Sequence, residues 1–212
     1  MLLKPDLAPD KLTGVIQRGL FMRQPFIKRS FTASTLLISF LRMLRYLGWA
    51  VWAYLFRGVD RQLAEKILLV ISSVNDCRYC RWFHGQMALR SGIESDQVAG
   101  LLNRILPDDL DAGEQAALGF ALHYADSAAR PAVEEFEWLA RFHSPCQVKG
   151  ILALAASIHF GNLCGNTFDA FLSRLRGRSV ENGSILVEAL VFVLCLPLLA
   201  PVMPRVWRSQ GD

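Results

Sequence analysis

Apolar residues recur every three or four positions along almost the whole of this chain, and no stretch alternates convincingly between apolar and polar residues. That periodicity predicts an all-α protein, a multi-helix bundle without a sheet. Punctuating residues divide it. A polar lead-in over 5–30 holds one short helix around Leu12–Phe21 and is interrupted by Pro25. A long apolar helix over 32–56 starts at Thr32 or Ser34 as cap, and Gly58 allows a break. The next helix runs from Asp60 to Ser73. Asn75 and Asp76 then read as N-caps of a central helix that passes His84 and stops at Gly92. Further helices are expected over Glu94–Leu106, closed by Pro107, over Gly113–Ala129 behind the cap Asp111, and over 132–142. Ser144-Pro145 opens a helix to about Phe160, and another covers 163–176.

The chain has 212 residues, 52% of them hydrophobic, and a mean hydropathy of +0.27. That is on the apolar side for a water-soluble domain, and two segments are responsible. In 32–56, Leu37, Phe40, Leu41, Leu44, Leu47 and Val51 form a helical stripe, with Arg42 and Arg45 mid-run. Residues 185–203 are almost wholly apolar, with Glu188 as their one charge and Pro197 and Pro201 as interruptions. Two readings fit each segment: membrane contact, with 185–203 about as long as a minimal span of roughly 17–20 residues, or burial in a core or an oligomer. Pairing of the two with each other would cover both apolar surfaces without lipid.

A net charge of +4 is too small to indicate nucleic acid, and none is expected as a partner. The five cysteines are odd in number and irregularly spaced, unlike a secreted disulfide framework, and the first residues lack an apolar leader core. The expected location is cytoplasmic, with membrane association through 185–203 as the open alternative. In a reducing compartment a close cysteine pair points to catalysis or metal binding.

Cys77 and Cys80 are such a pair. On a helix they share a face with His84, and Glu65 precedes them by about three turns. Thiols at a helix start are favoured as thiolates by the unpaired N–H groups and the dipole there. His84, one turn beyond Cys80, can take its proton, and Glu65 can orient His84 if the preceding helix folds back antiparallel. Zinc is the rival chemistry, but so compact a C-x2-C-x3-H lacks the second, distant ligand pair of a structural site, and no metal is assigned. Covalent haem requires histidine directly after the second cysteine, where this chain has Arg81. Cys164 and Cys195 read as core thiols, Cys146 lacks a base at helical spacing, and His159 reads as a core or turn histidine.

The pattern Glu-x11-Cys-x2-Cys-x3-His, here Glu65, Cys77, Cys80 and His84, resembles the signature of alkylhydroperoxidase D-like proteins of the carboxymuconolactone decarboxylase superfamily. The likeness runs over roughly 60–176 and includes Ser144-Pro145-x-Gln147-Val148. It divides the chain into a basic helical extension (1–59), an alkylhydroperoxidase D-like domain (60–178) and an apolar C-terminal helix or membrane-associated tail (179–212). The resemblance implies a helical homo-oligomer that needs no cofactor. It also implies reduction of a hydroperoxide by Cys80, resolution by Cys77, and a proton relay through His84 and Glu65. An external dithiol reductant, a lipoyl-bearing or thioredoxin-like protein, restores the pair. Tyr79 departs from the pattern, since the best-known peroxidases of the family carry histidine between the cysteines. The other function class left open is a non-catalytic helical oligomer or redox sensor, membrane-attached or not.

Overall fold

A computed structural model describes residues 25–181 and 183–209; the short helix expected around Leu12–Phe21 lies outside them. Among the described residues there are nine helices and no strand, with one isolated bridge between Phe26 and Val180. In chain order they are α1 (Ala33–Leu55), α2 (Arg61–Val74), α3 (Arg78–Arg90), α4 (Ser95–Leu102), α5 (Ala112–Asp126), α6 (Val133–Phe142), α7 (Pro145–Leu175), α8 (Ile185–Leu199) and α9 (Met203–Arg208).

The capping residues do what their chemistry predicts. Thr32 and Thr35 form a capping box at α1, and Ser144 and Gln147 form one at α7 with Pro145 in its first turn. Asp60 accepts from the Gln62 and Leu63 N–H groups, and Asp111 from that of Glu114. Gly92, at φ +92°, follows α3 as its stop.

Helix α7 is the spine. It packs against α1, α2, α3, α5, α6 and α8, and at 31 residues it is about 46 Å long. A break after Phe160 does not occur. The polar residues that suggest one, Asn162, Asn166 and Thr167, are buried and face inward. Asn162 Oδ1 accepts from Ser72 Oγ at 3.1 Å, and Asn166 Nδ2 donates to the Asn75 carbonyl at 2.7 Å. Thr167 Oγ1 accepts the Phe31 N–H at 2.8 Å. Asn166 and Thr167 satisfy the backbone of neighbouring segments and Asn162 a buried hydroxyl, so the helix continues through them. Helix α4 is shorter than expected, because Arg104 turns left-handed (φ 63°) and the Ile105 N–H bonds back to Gly100.

The main core lies between α2, α5 and α7, with Ile67, Leu69, Ile71, Leu118, Phe120 and Ile151 fully enclosed. Helices α1 and α8 do not pair along their length; both lie on α7, with an apolar cleft between them. Helix α8 ends at Leu199, so its 15 residues extend about 22 Å, against about 30 Å for a hydrocarbon core. It buries Val187, Glu188 and Val191, and Glu188 takes a two-pronged ion pair from Arg174 of α7. The outer faces of α1 and α8 expose Leu37, Leu41, Leu44, Leu190, Val193 and Leu194. Two helices, α1 and α7, are long and apolar enough to cross a membrane, and α7 is mostly buried within the fold. A buried core helix of a water-soluble protein has the same composition, so this is weakly compatible with membrane association.

Candidate active site

Helices α2 and α3 form a hairpin with a very short elbow. Asn75 ends α2, with its N–H bonded to the Ile71 carbonyl. Asp76 is left-handed (φ 51°), and Cys77 opens α3. Asn75 and Asp76 are therefore not the caps of α3. Cys77 itself is the N-cap, its sulfur accepting the Cys80 N–H at 3.4 Å. The Asp76 carboxylate instead pairs with Lys28 at 2.9 Å and with Arg81 at 3.0 Å.

The hairpin brings all four motif residues together. The Cys77 and Cys80 sulfurs are 2.7 Å apart and not bonded as a disulfide. Cys77 is fully buried, its sulfur against the backbone of Gly165 on α7, whereas Cys80 is partly exposed. The hydrogen bond with Cys77, and then burial, push the Cys80 thiol well above its ordinary value. It holds its proton until a base removes it.

Across the hairpin, His84 Nδ1 lies 3.0 Å from Glu65 Oε2. The Glu65 side chain has 0% exposure, and its charge is compensated. Arg61, four residues earlier on α2, reaches Oε1 at 2.9 Å, and Tyr54 at the end of α1 donates to Oε1 at 2.7 Å. Burial, and then the bond it donates to Glu65, raise the Tyr54 hydroxyl to about 12 and keep it a donor. With Nδ1–H given to Glu65, His84 Nε2 is the basic nitrogen of the ring. Among the described residues it makes no hydrogen bond, to either sulfur or elsewhere.

Tyr79 is not part of this hydrogen-bonded set. It is buried, its ring edge-on to Phe168 at 5.9 Å, and its hydroxyl donates to Asp169 at 2.6 Å beside Arg78. Burial and the Asp169 charge hold it protonated. Sequence reasoning missed Tyr54 and Arg61. Arg61 is legible as an i, i+4 partner of Glu65, whereas Tyr54 arrives from another helix and carries no local signal.

His159 sits on α7 beneath the elbow, 3.3 Å from Asn75 Nδ2. Burial, with Arg29 and Arg42 nearby, lowers it to about 4, so it is a neutral core histidine. Among the described residues no group of three or more histidine, cysteine or acidic side chains could hold a metal ion.

Two adjacent thiols and an acid-backed imidazole on a helical hairpin define a dithiol centre of an all-α protein. Residues 39–123, a stretch that contains the whole motif, match the model of the carboxymuconolactone decarboxylase family. Among solved structures it is similar to a cysteine-to-alanine variant of the debrominase Bmp8 in complex with 2,3,4-tribromopyrrole, at 22% identity and TM-score 0.48 over 74% of this chain and 83% of that one. It is also similar to Bmp8 in its apo form, at 19% identity and TM-score 0.48 over 88% and 94%. No curated protein sequence matches it.

Proposed function

We propose that the protein is a thiol-dependent hydroperoxide reductase working through Cys77 and Cys80. The observation that carries this reading is the pairing of two sulfurs 2.7 Å apart with a histidine whose far nitrogen is bonded to a buried carboxylate. Cys80, the more exposed thiol, gives its proton to His84 Nε2 and attacks the terminal oxygen of the hydroperoxide. The O–O bond breaks, the alcohol leaves with the proton, and Cys80 becomes a sulfenic acid. Cys77 then attacks the Cys80 sulfur; water leaves and the disulfide forms. Closure from 2.7 Å to about 2.05 Å requires little movement. An external dithiol reduces the disulfide and is itself oxidised. Glu65 positions His84 and stabilises its charged form, and Tyr54 and Arg61 hold Glu65.

The exposed apolar faces of α1 and α8 favour an assembled state, and we propose a homo-oligomer that covers them. A bilayer in place of the second copy would show as vesicle binding by the monomer.

Intact mass and peptide mapping of the reduced protein after one equivalent of hydroperoxide test the reading. Rapid, selective formation of a Cys77–Cys80 disulfide supports it, and Cys80→Ser should abolish turnover with the fold intact. Slow oxidation scattered over all the cysteines, or full activity in that variant, overturns it.

A further inference from the structure

Cys164 of α7 and Cys195 of α8 are not isolated core thiols. They line the same cleft of about 430 Å3, whose wall is otherwise apolar, and pack in one cluster with Leu163 and Val191. Each remains partly exposed. Cys195 also packs on the cluster that contains Cys77 and Cys80. On the other side, the Cys77 sulfur rests on Gly165, the residue after Cys164; a Cβ there would lie 2.7 Å from it. The two cleft cysteines thus border the hairpin pair on two sides, Cys195 through the cluster it shares with Cys77 and Cys80, and Cys164 through its neighbour Gly165.

We propose that Cys164 and Cys195 form a second dithiol–disulfide couple, which exchanges with Cys77–Cys80 through a Cys77–Cys164 bond and opens the centre to reductant from the cleft. The inference rests on the reading of Cys77–Cys80 as a redox pair. Their mutual interaction raises the Cys164 thiol and lowers that of Cys195. In its thiolate form Cys195 accepts the Cys164 proton, and Cys164 attacks the Cys77 sulfur. The Cys77–Cys80 bond breaks, and Cys80 leaves as a thiolate. Cys195 then returns its proton to Cys80 and attacks Cys164, releasing Cys77, which is protonated from solvent. One couple is reduced as the other is oxidised. An external dithiol entering the cleft reduces Cys164–Cys195 and leaves as a disulfide. Cys146, exposed and alone on the first turn of α7, takes no part.

The test is a redox titration of the full chain without peroxide, in dithiothreitol buffers of graded oxidised-to-reduced ratio, with acid quench, alkylation and disulfide mapping. The expected result is closure of both Cys77–Cys80 and Cys164–Cys195, with Cys146 alkylated throughout. Joint replacement Cys80→Ser and Cys195→Ser should trap a Cys77–Cys164 bond. If Cys164 and Cys195 stay alkylated at every ratio that closes Cys77–Cys80, the second couple is overturned and the peroxidase reading stands. If Cys77–Cys80 never closes, both fall. The wild-type map decides the matter even if the double variant fails to fold.

Discussion

Replacing His159 by glutamine should remove a defined piece of the protein's acid sensitivity. His159 is 5% exposed and neutral in the fold, lowered from 6.5 to about 4 by burial and then by Arg29 and Arg42. An unfolded chain carries the same imidazole at its ordinary value. Between the two, the unfolded state binds a proton that the folded state refuses, so stability falls as pH falls. The loss begins near pH 6.5 and is complete near pH 4, with a slope approaching about 1.4 kcal/mol per pH unit and a total of about 3 kcal/mol. Glutamine can still accept from Asn75 Nδ2 but does not titrate. Urea unfolding of both proteins at one concentration, from about pH 7 to about pH 4, gives the difference in stability at each pH, and other groups cancel. The wild type should lose about 3 kcal/mol relative to the variant over that window. A flat difference would refute the argument, since His159 would then be solvated or charged in the fold.

Three further outcomes are expected. Glu65→Gln should slow peroxide-driven oxidation of Cys80 by about 100-fold or more. It should also change the shape of the rate–pH profile, which stopped-flow measurements across pH would read; an unchanged profile would remove Glu65 from the relay. Gly165→Ala drives a Cβ to 2.7 Å from the Cys77 sulfur and 3.3 Å from the Tyr79 ring. It should cost about 1–3 kcal/mol in thermal unfolding and prolong the Cys80 sulfenic acid seen by dimedone labelling. Arg174→Met strands Glu188, whose side chain has 0% exposure, and should destabilise the fold by about 3 kcal/mol, read by urea unfolding, with recovery in Arg174→Met, Glu188→Leu.

The helices and most of their starts were legible because caps are local chemistry. Thr32, Asp60, Asp111 and Ser144 each bond to a backbone group two or three residues away. The motif residues were legible as a set because helical spacing puts two thiols and an imidazole on one side of α3. What local chemistry could not supply was anything decided across the bundle. Asn162 and Asn166 look like loop residues until Ser72 and Asn75 are known to face them. Tyr54 carries no local signal until α1 delivers it to Glu65. Cys164 and Cys195 look like filler until α7 and α8 place their thiols together. The elbow misled for a different reason: Asn75 and Asp76 are good caps, but a left-handed Asp76 places the helix start one residue later, on a cysteine.

That elbow makes the α2–α3 pair a lever with a single-residue fulcrum. Glu65 stands about 15 Å from it along α2 and His84 about 10 Å along α3, at 1.5 Å per residue. A change of about 5° in the opening of the hairpin becomes about 1 Å at the tips by this geometry. One ångström is the difference between the 3.0 Å bond of Glu65 to His84 and no bond at all. The Lys28 and Arg81 clamps on Asp76 therefore act at a distance: by fixing the fulcrum, two surface ion pairs set the tolerance to which the Glu65–His84 bond is held.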